Sequence, residues 1–113
     1  MNKSEISKSE IDSVITLFSN GELDKALTNA NKLIKAFPEN SLLHNIVGAC
    51  YAGLGQLDSA VKSYEKAIKI DPNYAKAYFN LGATLQELNQ TNKSIESYEK
   101  SIIIDPNFAE AHN

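Results

Sequence analysis

Apolar residues recur along this chain at intervals of three and four, the spacing that puts them on one face of a helix. The first such stretch, about 7–19, carries Ile11, Val14, Ile15, Leu17 and Phe18. The second, about 22–36, carries Leu23, Ala26, Leu27, Ala30, Leu33 and Ile34, with Phe37 just beyond. The same pattern predicts helices near 41–54, 57–70, 75–88 and 91–104, and the start of a seventh near 109. Breakers fall between these stretches. Asn20-Gly21, Gly53-Leu54-Gly55-Gln56 and Leu88-Asn89-Gln90 read as tight turns, with Gly55 and Asn89 in equivalent places that accept positive φ. Asp71-Pro72-Asn73 and Asp105-Pro106-Asn107 stop one helix, and a proline there suits the opening of the next.

The breakers keep a period. Pro38, Pro72 and Pro106 are spaced by 34 residues, and residues 41–74 align with 75–108 without a gap at 13 identities in 34 positions. Ser63-Tyr64-Glu65-Lys66 returns as Ser97-Tyr98-Glu99-Lys100. A repeat of this length marks stacked helical hairpins.

The repeats resemble the tetratricopeptide family, whose pattern is a Trp, a Leu-Gly pair, an aromatic, a small residue, an aromatic and a Pro. The second repeat reads His44, Val47-Gly48, Tyr51, Ala60, Tyr64, Pro72, and the third Tyr78, Leu81-Gly82, Leu85, Ser94, Tyr98, Pro106. The first is degenerate: Glu10, Ser13-Val14, Leu17, Ala26, Ala30, Pro38. The resemblance implies an all-α, right-handed superhelical stack of three hairpins plus the start of a seventh helix. A tail covers 1–6, the repeats cover 7–40, 41–74 and 75–108, and 109–113 begins a further repeat or capping helix. Gly48 and Gly82 stand inside helices, where Gly costs about 1 kcal/mol against Ala. Close approach of the two helices of a hairpin, with Ala60 and Ser94 facing the glycines and Tyr64 and Tyr98 filling the space beside them, offsets that cost.

Composition bounds the function. Of 113 residues, 42% are apolar and 22% charged, as in ordinary folded domains. A net charge of −3 offers no basic surplus for phosphates, so nucleic acid is not expected as a partner. No apolar run reaches the roughly 20 residues of a membrane span, and the start of the chain has no apolar signal core. The lone Cys50 permits no internal disulfide, which with the missing signal core points to the cytoplasm. Cys50 reads as a small buried residue. His44 and His112 stand where the family often has Trp, which makes them packing residues. Without clustered Cys or His, or a glycine-rich loop followed by Lys-Ser/Thr, no catalytic, cofactor or metal site is expected. Lys62, Lys66 and Lys69 form a solvated face, and Glu96 and Lys100 are spaced for an i, i+4 ion pair.

What remains is a binding surface. The resemblance places Lys8, Ile11, Asp12, Ile15, Phe18 and Ser19 on the concave side. Leu42, Asn45, Ile46, Ala49, Ala52 and Gly53 follow, then Lys76, Phe79, Asn80, Ala83, Gln86 and Glu87. Of these, Asn45, Ile46, Ala49, Lys76, Phe79, Asn80, Ala83 and Gln86 are the expected peptide-binding set. Family members that hold acidic chaperone tails use a Lys, Arg and Asn cluster. Only Lys8 and Lys76 could contribute here, so that clamp is not expected. Asn80-Leu81-Gly82 is similar to arrays fused to O-linked sugar transferases and bacterial sulfotransferases. Their Asn ladder would also need Asn at Asp12 and Ile46. The expected function is a non-enzymatic scaffold that binds a protein or peptide in the groove. Alternatives are the substrate-presenting arm of a larger transferase and a homo-oligomerisation module. Self-association is expected through the C-terminal end, where Ile102, Ile104, Phe108 and Ala111 are expected to be left partly bare and Ile103 adds to the apolar surface.

Overall fold

The computed structural model describes residues 6–107. Six α-helices follow one another, with no strand among the described residues: α1 Lys8–Ser19, α2 Leu23–Ala36, α3 Ser41–Gly53, α4 Leu57–Ile70, α5 Ala75–Glu87 and α6 Thr91–Ile104. Their limits lie within one residue of those the apolar spacing predicts. Consecutive helices pair into three hairpins, α1/α2, α3/α4 and α5/α6. The hairpins stack through α2 on α3 and α4 on α5, giving an elongated body of 42 × 27 × 21 Å. The expected seventh helix, with Phe108, Ala111 and His112, lies outside the described residues.

The three hairpin turns share one backbone design. Gly21, Gly55 and Asn89 stand 34 residues apart, all at positive φ (80°, 80° and 62°). Each is followed by an amide that reaches back five residues: Glu22 N to Leu17 O, Gln56 N to Tyr51 O and Gln90 N to Leu85 O, all 2.9 Å. This is the Schellman arrangement, which satisfies the carbonyls left over at a helix end. Asn89 takes the left-handed conformation that Gly supplies in the other two turns, as expected of Asn. Because the same bonds set the exit direction three times, the three turns come out alike, although α1 and α2 pack less closely than the helices of the other two hairpins.

The proline turns work differently from the sequence expectation. Pro72 does not open a helix. Asp71 ends α4, Asp71 Oδ1 accepts from Asn73 N at 3.1 Å, and α5 begins only at Ala75 behind Tyr74. Asp105 and Asn107 repeat this bond at 3.1 Å. The aspartate side chain closes the turn locally, and the proline serves as a stop. Near Pro38, Asn40 caps α3 by accepting from Leu43 N at 3.0 Å. His44 Nε2 lies 2.9 Å from Pro38 O, so this buried ring ties the turn to the helix after it. The free start of α1 carries a full capping box between Ser7 and Glu10.

Two apolar clusters hold the stack. Val14, Ala26, Ala30, Ile46, Val47 and Cys50 join the first hairpin to the second. Ala60, Tyr64, Leu81 and Leu85 join the second to the third. Cys50 is fully buried, and burial pushes its thiol pKa up, as for an inert core residue. In α6 the small packing positions are serines. Ser94 Oγ donates to Gly82 O at 2.8 Å and Ser101 Oγ to Ala75 O at 2.9 Å. Ala60 and Ala67 hold the same places one repeat earlier, with no exposure. Ser101→Ala is therefore expected to lower stability by about 1 kcal/mol or less, measured by urea unfolding. The surface departs from expectation at one pair. Instead of an ion pair between Glu96 and Lys100, Lys100 Nζ lies 5.7 Å from the centroid of the Tyr78 ring.

Candidate functional site

The first helix of every hairpin faces the same side, and α3 touches both α1 and α5 along it. Helix period then decides what lines the shared face. Leu42, Asn45, Ile46 and Ala49 on α3 point the same way as Ile15 and Phe18 on α1 and Lys76 and Asn80 on α5. With Tyr74 they enclose a depression of about 300 Å³ that crosses all three helices. Five of its nine lining residues are apolar, and Ile15, Phe18 and Leu42 stay 36–40% exposed.

Its polar part is organised. Asn45 is buried, with 5% exposure. Its Oδ1 accepts from Asn80 Nδ2 at 3.2 Å, a bond between residues 35 apart in sequence that fixes one repeat against the next. The Tyr74 hydroxyl lies near the Asn45 side chain, which favours the charged form of the phenol. Burial raises the Tyr74 pKa, the Asn45 amide opposes this, and the charge of Asp71 adds to the rise. The phenol therefore stays protonated at neutral pH and can donate. Asn80 is steadied further from its backbone, where Thr84 Oγ1 donates to Asn80 O at 3.0 Å. Lys76 is exposed at the rim.

Of the eight residues expected from sequence, the structure brings Asn45, Ile46, Ala49, Lys76 and Asn80 into this depression. Phe79, Ala83 and Gln86 are not part of its lining. Phe79 packs on Tyr98, with ring centroids 5.4 Å apart and planes at 53°. Gln86 Oε1 accepts from the Tyr98 hydroxyl at 3.2 Å. Both are thus drawn toward the second helix of their own hairpin. Tyr74 was not anticipated. It is the last residue of its repeat, in the linker before α5, where helical periodicity assigns no face. Among the described residues no group of three His, Cys, Asp or Glu side chains could hold a metal, and no helix is long and apolar enough to cross a membrane.

Family models place this architecture. A tetratricopeptide repeat model matches residues 75–108 and a TPR repeat model matches residues 48–89, together more than half of the chain. The chain belongs to the tetratricopeptide-repeat family. No curated protein matches this TPR chain in sequence. Solved structures agree with the fold. A MamA crystal structure superposes with a TM-score of 0.86 at 25% identity, over 93% of this chain and 61% of that one, so this chain spans less than two thirds of it. The second TPR domain of human RPAP3, in complex with the HSP70 peptide SGPTIEEVD, gives 0.85 at 25% identity over 92% and 87%. The Arabidopsis OM64 TPR domain gives 0.90 at 20% identity over 98% and 92%. TPR repeats of this kind form protein-interaction scaffolds, and the groove across α1, α3 and α5 is the surface on which such a role would rest.

Proposed function

We propose that this TPR domain is a non-catalytic scaffold that holds an extended segment of another protein across its concave face. The observation that carries the reading is the depression itself. It combines bare apolar side chains with amides already fixed by Asn45, so little ordering cost attends binding. The human RPAP3 domain, similar in fold at 25% identity and seen in complex with a peptide, supports it. An arm that presents a segment to a fused transferase would use the same groove.

Leu42→Asp and Asn80→Ala test the reading. Leu42 is exposed, so Leu42→Asp should leave the helix content unchanged while weakening peptide binding about tenfold or more, the cost expected of a contact residue. Titration of isotope-labelled protein with peptides, followed through the side-chain amide signals of Asn45 and Asn80, reads the effect. Binding that both variants leave untouched places the ligand elsewhere.

A second reading rests on α6. Ile103 is 77% exposed and Ile95 49%, while the equivalents one repeat earlier are Lys69 and the half-buried Val61. This outer face fits self-association. Light scattering at rising concentration should show mass growing toward a dimer, and Ile95→Lys with Ile103→Lys should abolish the growth. A wild type that stays monomeric refutes it.

A further inference from the structure

We infer a second interaction surface, on the side of the stack away from the groove. It is a strip of lysines on α2, α4 and α6 that takes an extended, acid-rich segment of another polypeptide.

Net charge hides this strip. The chain is acidic overall, at −3, yet its charges are unevenly spread. The second helices of the hairpins carry eight lysines against five carboxylates, and the first helices two against three. Helical period gathers the lysines further. On α4, Lys62, Lys66 and Lys69 follow at intervals of four and three, on the face opposite the buried Ala60, Tyr64 and Ala67. On α2, Lys32 and Lys35 keep the places of Lys66 and Lys69, opposite the buried Ala26 and Ala30. Lys100 continues the row on α6. All six are exposed. The first helices share the groove side of the stack, so the second helices share the other, and the period of 34 brings their lysines into line.

A solvated helix face that does nothing more carries both signs interspersed. Here Glu96 is the one carboxylate within the strip. The lysines are also not neutralised by neighbours. Among the described residues one ion pair forms, between Lys25 and Glu22, and it uses none of the six. Lys100 instead stands over the Tyr78 ring. Like charges one helical turn apart repel. A polyanion laid across them relieves that repulsion, and the potentials of a row of cations add along its path.

The borders of the strip select the ligand. Asp58 and Glu65 on α4 and Glu99 on α6 run along one edge. They repel a broad anionic surface such as a lipid bilayer and leave room for one narrow chain. Phosphates and bases are held best by guanidinium forks and aromatic faces. The chain has no arginine, and Tyr64 and Tyr98, the aromatic residues of the second helices, turn toward Gly48 and Phe79 of the first helices instead. Lysine is a point charge on a flexible stem, which suits carboxylates at irregular spacing. An extended chain rises about 3.3 Å per residue, so about 12 residues match the longest dimension of the stack.

A fluorescein-labelled, end-blocked peptide of six Glu-Ser pairs tests this by fluorescence anisotropy. The wild-type domain should bind it at about 10 mM salt and release it toward about 1 M, as the screening length falls from roughly 30 Å to 3 Å. Variants are compared at about 0.1 M salt, where screening acts within roughly 10 Å. Lys32→Glu with Lys66→Glu should weaken binding about tenfold, as for two exposed charges reversed. Lys66→Gln alone should give a smaller loss in the same direction. Lys8→Glu with Lys76→Glu changes the net charge equally but on the groove side, and should weaken binding less than about twofold. Circular dichroism of every variant should match wild type. Equal losses in the two double variants would reveal a net-charge effect or a groove ligand and overturn the inference. So would no binding by the wild type, or tighter binding of phosphatidylserine vesicles or of a single-stranded oligothymidylate of the same length. None of these results touches the groove reading, which is followed through Asn45 and Asn80.

Discussion

Tyr64→Ala should cost about 3–5 kcal/mol, most of the stability of a domain this small. Tyr64 is 97% buried and belongs to the cluster that joins the second hairpin to the third. Its ring lies against Gly48 of its own hairpin, so removal opens a cavity that neither helix can close alone. In a stack, stability is roughly a sum of repeat and interface contributions. A defect in the middle hairpin therefore weakens both neighbours at once. Tyr98 occupies the equivalent place in the last hairpin but is only half-buried, packed on Phe79 and bonded to Gln86. Tyr98→Ala should cost about 1–2 kcal/mol, the worth of a partly exposed aromatic contact. Urea unfolding followed by circular dichroism compares the two. Equal losses would show that the central position has no special weight.

Gly48→Ala should lower stability by about 1–3 kcal/mol net, even though Ala is the better helix former by about 1 kcal/mol. A Cβ at Gly48 would stand 2.6 Å from the Tyr64 ring, and that ring is packed on all sides. At Gly82 the same atom would stand 3.0 Å from the Tyr98 ring, which is only half-buried, and 3.2 Å from the Ser94 carbonyl oxygen, both milder contacts than at Gly48. Gly82→Ala should therefore change stability by less than about 1 kcal/mol, because strain and propensity nearly cancel. Two glycines in the same place of the repeat thus give different outcomes, because the tyrosine facing Gly48 is closer and more deeply buried. Matching losses at both positions would contradict this account.

The exposed isoleucines of α6 and the depression between α1, α3 and α5, two of the surfaces proposed for binding, differ in kind. Ile103 and Ile95 are exposed on α6 and do not line the depression. The depression has its amides locked by hydrogen bonds between repeats. Substitutions at one should leave the other unaffected, since the two sets share no contact side chain.

What the sequence determined by itself was local. The period of 34, the six helices and the left-handed residue of each turn are properties of short windows, where spacing and φ preference act within a few residues. The core positions Val14, Val47, Cys50, Ala60 and Leu81 follow from the same spacing, because a helix has one face to bury. The partition of the inner face was decided only by tertiary structure. Asn45 and Asn80 look like two unrelated polar residues until stacking brings them to 3.2 Å. Phe79 and Gln86 share the periodicity of the groove residues, yet Tyr98 from the neighbouring helix engages both. Tyr74 lies in a linker that has no period, and it reaches the site only because the Asp71 turn folds it there. Lys100 meets Tyr78 rather than Glu96 because the hairpin partner offers a ring beside it. Periodicity fixes which way a side chain points from its own helix. Which neighbour it meets depends on how separate helices are set against one another, and that is written in the packing.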